Sequence, residues 1–257
     1  MLKSLTSAVL LLAITADRPL YAKDAPVPPT AEKQPAAPAP DGTKTAAPAA
    51  PVIKPLGGPR YALNGITFNE ETRMISLPAV VNMTEGLLEY GLVHEAGKVH
   101  ESFLSTAISP YDLNVVLLLL SYQPGTSFFD HSDKRAGAVL VKNPKINPAA
   151  QLSVALEWTD GDGKNQTATL ESLLLNIDQK ATLTPGPFTY TGSFLMEDGT
   201  FMAKDTGSIL AMYADAAALI NNPRPGNEND DIWLPDKTKV PAKGTLVTVT
   251  LNPAAAK

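Results

Sequence analysis

The stretch Met74-Ile75-Ser76-Leu77-Pro78-Ala79-Val80-Val81-Asn82 sets the character of this chain. Ile75, Leu77, Ala79 and Val81 recur at every second position, the period of a strand with one buried face. Pro78 interrupts the run and has no N–H to give a ladder, so an edge strand or a bulge is expected there. Outward from it, short apolar runs broken by Gly, Pro, Asn and Asp continue. Residues 87–94 and 99–106 read as two strands around Glu95-Ala96-Gly97-Lys98, and 152–159 and 167–175 flank Asp160-Gly161-Asp162-Gly163. Runs at 188–196, 200–203, 208–213 and 246–251 complete the pattern. The expected class is α+β, predominantly antiparallel β in sandwich-like or meander sheets.

The short link between 87–94 and 99–106 predicts an antiparallel hairpin with Tyr90 opposite Phe103. That register places Leu88, Tyr90, Leu92, Val99 and Phe103 on one apolar face, with Glu101 among them. Glu89, His100 and Ser102 fall on the other face.

One helix stands out near 110–121. Ser109-Pro110-Tyr111-Asp112 offers a capping hydroxyl, a proline at the first helical position and a carboxylate three residues past the cap. The following Leu113-Asn114-Val115-Val116-Leu117-Leu118-Leu119-Leu120 is apolar nearly all round, which predicts a core element with Leu117 and Leu118 at its centre. Gln123-Pro124-Gly125 stops it. A second short helix is expected near 215–221, turning Leu219 and Ile220 inward.

The first part of the chain has a different composition. Lys3 and the apolar run 5–16 precede Leu20-Tyr21-Ala22, the pattern of a secretory signal over 1–22. An apolar core of that length is too short to span a bilayer, for which about 20 residues are needed. Residues 23–59 hold ten of the chain's 23 prolines and nine alanines, and read as a disordered Pro/Ala-rich linker. The remaining 60–254 are expected to form a single β-rich domain. Export predicts a periplasmic or extracellular location and no membrane span after the signal is removed.

Composition narrows the function classes. A net charge of −5 provides no basic footprint for nucleic acid. The absence of cysteine rules out disulfides and a lipid anchor on an N-terminal Cys. There is no P-loop, dinucleotide fingerprint or nucleophile elbow, and no cofactor is expected. Three histidines, His94, His100 and His131, are too few and wrongly spaced for a three-histidine zinc centre.

Three clusters are left as candidate chemistry. His100-Glu101-Ser102 is the one catalytic candidate, although three adjacent strand residues cannot form a triad and a polar patch fixing a hairpin is the simpler reading. Glu228, Asp230 and Asp231 could gather oxygens around a divalent cation. Asp160, Asp162 and Glu171 occupy calcium-loop positions, but Lys164 stands at a ligand position and Asn165 where the turn needs Gly. Asn82-Met83-Thr84 and Asn165-Gln166-Thr167 match the short glycosylation acceptor pattern.

Gly97-Lys98-Val99-His100-Glu101-Ser102-Phe103-Leu104 resembles the YdjY-domain family of bacterial envelope proteins. Tyr190-Thr191-Gly192-Ser193, Gly207-Ser208-Ile209-Leu210-Ala211 and Ala218-Leu219-Ile220-Asn221-Asn222-Pro223 are similar to the same family. So is Val240-Pro241-Ala242-Lys243-Gly244-Thr245-Leu246-Val247, and the resemblance covers roughly 73–253. It implies an exported domain with no agreed activity. Some relatives are associated with iron–sulfur segments, which a chain without cysteine cannot hold. The expected function is a non-catalytic binding or structural module for an envelope protein, glycan or small ligand. The alternative is a hydrolase-like enzyme using His100 with Ser102.

Overall fold

The computed structural model describes residues 52–132 and 138–254; the expected signal and linker residues 1–51 lie outside them. An antiparallel ribbon leads in, made of β1 (Lys54–Gly57), β2 (Arg60–Leu63) and β3 (Ile66–Asn69). Lys54–Gly57 falls inside the stretch assigned to the linker, so the sheet starts ahead of Arg60. Gly57 and Gly58 take positive φ values of 97° and 57°, which lets so proline-rich a segment reverse within two residues. Next come β4 (Ile75–Val81), β5 (Tyr90–His94), the 3-10 turn Val99–Glu101, β6 (Ser102–Thr106) and α1 (Pro110–Leu119).

A small antiparallel pair, β7 (Phe129–Asp130) and β8 (Val139–Leu140), precedes the long hairpin of β9 (Gln151–Thr159) and β10 (Asn165–Thr169). Then follow α2 (Leu170–Leu173), β11 (Leu174–Asn176), β12 (Ala181–Thr182), β13 (Phe188–Tyr190) and α3 (Met202–Thr206). The order ends with β14 (Ser208–Ala211), β15 (Ile220–Asn221), β16 (Trp233–Pro235) and β17 (Leu246–Pro253). Strands β4, β17, β9, β13, β15, β14, β5 and β6 pair in that sequence, and β6 returns to β4, so the eight close like a barrel. Closure satisfies the backbone groups that an open sheet would leave at its edges. Leu77, Val81, Leu92, Phe103, Leu156 and Val249 belong to the single large core cluster.

The class expected from sequence holds: the described residues are mostly β and mostly antiparallel, with one long helix among them. β4 shows the predicted alternation, buried at Ile75, Leu77, Ala79 and Val81. It is not an edge strand. β17 pairs along its whole length on one side, while the other side meets β3 at Ile75 and Ser76 and β6 at Val80 and Val81. Val81 N donates to Thr245 O of the β17 side, so by alternation position 78 faces the opposite side, between the two shorter partners. The missing N–H of Pro78 therefore costs no ladder bond. Its carbonyl accepts instead from Thr106 Oγ1 at 2.6 Å.

The expected hairpin is corrected. β5 and β6 run parallel, with Tyr90 opposite Ser102 and Leu92 opposite Leu104. Parallel neighbours usually need a crossover of a dozen or more residues, but strands this short, about 13 Å at ~3.3 Å per residue, need less. Residues 95–101 carry the chain back through bonds from Gly97 N to His94 O and from Val99 N to Gly97 O. The Asn82 side chain, a glycosylation candidate by sequence, donates to Val99 O and to Ser102 O and pins the end of the crossover.

Gly91 is the second reason for the correction. Tyr90 and Leu92 oppose the consecutive residues Ala211 and Leu210 of β14, so Gly91 is a bulge. A Cβ there would lie 2.7 Å from Leu210 Cδ2. With the alternation reset, Leu92 joins the main core, whereas Tyr90 packs with Val93, Ala211, Ala218 and Val99 in a separate small cluster.

Two helical expectations also change. Leu113, Val116 and Leu117 of α1 are buried, but Leu118 is 52% exposed because it faces away from the barrel. Asp112 bonds Asn64 Nδ2 at 2.9 Å, and Ser109 makes no side-chain cap bond. No helix forms near 215–221. Asp215 Oδ1 takes Ala217 N at 2.8 Å, Asn221 Oδ1 takes Asp215 N at 2.9 Å, and Ile220–Asn221 is drawn into the sheet beside β14. Leu219 and Ile220 are buried, as expected. Short helix instead appears at Met202–Thr206, where a strand was expected, and Gly207 ends it at φ 73°.

Leu117→Ala should cost ~2–5 kcal/mol of unfolding free energy, and Leu118→Ala less than about 0.5 kcal/mol. Chemical denaturation of the two variants measures both, and equal losses would place α1 differently from the packing described.

Candidate functional site

The crossover from β5 to β6 carries Lys98 back over the strand it has just left. Lys98 Nζ donates to Tyr90 Oη at 2.6 Å and lies 4.8 Å from the centre of the Tyr90 ring. Tyr90 Oη in turn donates to Asp215 Oδ2 at 2.9 Å. Asp215 is fixed from behind by β15, since Asn221 Nδ2 donates to Asp215 O at 3.0 Å and to Thr191 Oγ1 at 2.8 Å. The buried strand residue Asn221 thus fixes the Asp215 backbone, and the crossover orients the ammonium.

A cavity of about 310 Å³ opens beside this chain of bonds. Glu89, Lys98 and Asp215 line its polar side, Phe129, Leu140 and Tyr213 its apolar side, and Glu228 its rim. Burial, then the nearby Asp215 carboxylate, pushes the Tyr90 phenol far above its ordinary value. It stays a protonated donor at physiological pH. The Glu89 carboxyl is also raised, first by burial and then by Glu101, with Lys98 opposing.

The catalytic candidates are dispersed around this place. Ser102 is fully buried and its hydroxyl donates to Leu104 O at 2.7 Å. His100 is largely in solvent, its Nε2 3.6 Å from Glu101 Oε2, and Glu101 Oε1 is 4.0 Å from Lys98 Nζ. His100 and Glu101 meet, while Ser102 turns into the protein. A hydroxyl has one proton to give, and here it is committed to a backbone carbonyl.

Of the acidic-loop candidates, Glu228 reaches the cavity and Asp230 adds to the negative field at Glu89. Asp231 stays exposed, its amide held by Asn229 Oδ1. Among the described residues no group of three His, Asp or Glu side chains could hold a metal ion. The calcium-loop residues separate. Asp160 accepts from Lys164 N, Asp162 N and Gln166 Nε2, which hold its carboxyl below the usual range, and it serves as the hairpin turn. Glu171 lies buried beside Arg224. Trp233 is buried in the core.

None of Tyr90, Lys98, Asp215 and Glu89 is among the site candidates that the sequence offers. Tyr90 read as a core residue because strict alternation put it there. The signal available was Gly91, since an isolated glycine inside a strand often marks a bulge.

The raised Glu89 carboxyl has a consequence for stability. A folded value above the unfolded one favours the protonated form, so the stabilisation is complete below the ordinary glutamate range and is lost as pH rises through the folded value. Glu89→Gln removes that titration. Its stability relative to the parent should therefore grow between about pH 3 and pH 7, as read from denaturant midpoints. A difference that stays flat with pH contradicts the account of Glu89.

The family model for the YdjY domain matches residues 66–252, from the start of β3 into β17. Neither the comparison with curated proteins nor that with solved structures gives a match. The match takes in the barrel, the crossover bearing Lys98 and the β14–β15 segment bearing Asp215, and the chain belongs to the YdjY-domain family.

Proposed function

We propose that this is an exported, non-catalytic binding module whose ligand is a small polar molecule, with a glycan fragment as the leading class. The observation that carries the reading is the hydrogen-bonded chain Lys98–Tyr90–Asp215 at the wall of a 310 Å³ cavity. Polar groups held by the backbone, with Tyr213 and Phe129 beside them, are what small-molecule sites commonly combine. An aromatic ring offers a flat apolar surface to a sugar, and the carboxylates and the ammonium offer acceptors and donors to its hydroxyls.

Two features support binding over catalysis. A phenol kept protonated by burial is a poor base, and the Ser102 hydroxyl is committed to Leu104 O. The hydrolase reading with His100 and Ser102 therefore has no accessible nucleophile. Export rests on the residues of 1–22, and reach away from a surface on the proline and alanine content of 23–51. Among the described residues no helix is long and apolar enough to cross a membrane.

Osmotic shock should release the intact chain into the periplasmic fraction, whereas a chain lacking residues 1–22 should stay with the cytoplasm. Cytoplasmic retention of both would end the export reading. For the cleft, a panel of neutral mono- and disaccharides is titrated into the labelled protein. Saturable shifts at the amides of Tyr213 and Asp215 are expected, weakened at least about fivefold in Tyr213→Ala. Absence of any saturable shift across the panel would remove the glycan assignment.

A further inference from the structure

A second buried carboxylate belongs to neither the Tyr90 cleft nor the core. Glu171, at the first turn of α2, is 6% exposed, and its Oε1 accepts from Gly186 N at 3.3 Å and lies 3.5 Å from Arg224 Nη2. Arg224 is itself occupied. Its Nε donates to Thr184 O at 2.7 Å, Nη2 to Gly186 O at 2.6 Å and Nη1 to Asn222 Oδ1 at 3.1 Å, and it lies 4.6 Å over the Phe188 ring. The charges of Glu171 and Arg224 balance, but Glu171 Oε2 is buried without a hydrogen-bond partner. Native proteins seldom leave such an oxygen unserved, because it lost its water on burial and received nothing in return.

Glu171 lines a cleft of about 780 Å³ at the end of the barrel where β9 begins and β17 ends. That volume lies in the range of small-molecule sites. Pro148, Pro187 and Pro253 make its walls apolar, and Ser153 of β9 adds a hydroxyl. Arg73 lines the same cleft. Its Nε and Nη2 donate to Leu120 O and Ser121 O, and the guanidinium lies 4.3 Å over the Tyr122 ring, which holds it in place with Nη1 still available. The cleft therefore offers one acceptor, one fixed cation and apolar surface. The last torsion of a glutamate is soft, so the carboxylate can turn Oε2 toward the cleft while Gly186 N keeps an oxygen.

We propose that this cleft is a second binding site, independent of the Tyr90 cleft, for a short apolar peptide. One peptide N–H donates to Glu171, and the free carboxylate pairs with Arg73. The proline walls take the side chains without competing for hydrogen bonds, since proline has no N–H. An arginine is suited to a carboxylate because its planar fork can present paired donors.

The test titrates acetyl-Ala-Ala-Ala, as the free acid and as the C-terminal amide, into the ¹⁵N-labelled full chain. The free acid should shift the amides of Gln151, Ser153 and Gly186 saturably, and the neutral amide should bind at least about tenfold more weakly. Ser153→Trp, on the half-buried outer side of β9, should block the cleft and abolish saturation with the melting temperature unchanged. This variant leaves the Glu171–Arg224 pair intact, and the unchanged melting temperature separates loss of binding from loss of folding. Lack of saturation up to ~10 mM in the parent, equal affinity for acid and amide, or undiminished binding in Ser153→Trp each overturns the proposal. So do shifts confined to Tyr213 and Asp215, which would place the peptide in the other cleft.

Discussion

Two glycines distant in sequence, Gly97 and Gly207, meet backbone to backbone, and the arrangement of the candidate site depends on that contact. A Cβ on Gly97 would stand 2.9 Å from Thr206 O and 3.1 Å from Gly207 Cα, and one on Gly207 would stand 2.8 Å from Gly97 Cα. Gly207 also takes a positive φ at the end of α3, and its carbonyl accepts from His94 N at 2.8 Å. With no side chain between them, the short crossover lies flat against the junction of α3 and β14. It can then return within seven residues and deliver β6 parallel to β5. Lys98, next in the chain, lands on Tyr90 as a direct result.

The two buried or half-buried carboxylate sites solve the same electrostatic problem differently. At Glu171 the countercharge is Arg224, whose burial tends to lower its affinity for a proton while Glu171 raises it. A buried pair of this kind is tolerable only when its remaining donors are served, and each of the three Arg224 nitrogens donates a hydrogen bond. Around Tyr90 the acids outnumber the bases. Burial first, then the Glu101 and Asp230 carboxylates, raise the Glu89 carboxyl against the single opposing ammonium of Lys98. The first site sets an arginine against its carboxylate, whereas at the second burial raises the carboxyl.

The legible parts of the fold were those set by local period and turn chemistry. Ile75, Leu77, Ala79 and Val81 announced β4, and the Asp160-Gly161-Asp162-Gly163 turn announced the β9–β10 hairpin, whose register runs from Asn165 opposite Thr159 to Thr169 opposite Ala155. The proline at the first turn of α1 marked where that helix begins. The misleading assumption is that strands joined by a short link pair antiparallel, since β5 and β6 pair in parallel. Pro78 points to an edge or a bulge from sequence, because its partners on that side, β3 and β6, come from separate parts of the chain. Leu118 reads as core because α1 is apolar on its outer face as well, and composition does not say which side meets the barrel.

The sequence by itself determined the β-rich class, the long helix, the absence of disulfides and cysteine-bound metal, and the family resemblance. Each follows from residue identity or from periods of two to four residues. The tertiary structure decided the direction of β6, the placement of Tyr90 outside the main core and the linking of Lys98 to Asp215 through the Tyr90 hydroxyl. These depend on the Gly97–Gly207 contact, on the Gly91 bulge and on closure of the barrel through β4 and β14. Residues more than a hundred positions apart share hydrogen bonds there, and no local pattern encodes which distant backbone a strand will accept as its neighbour.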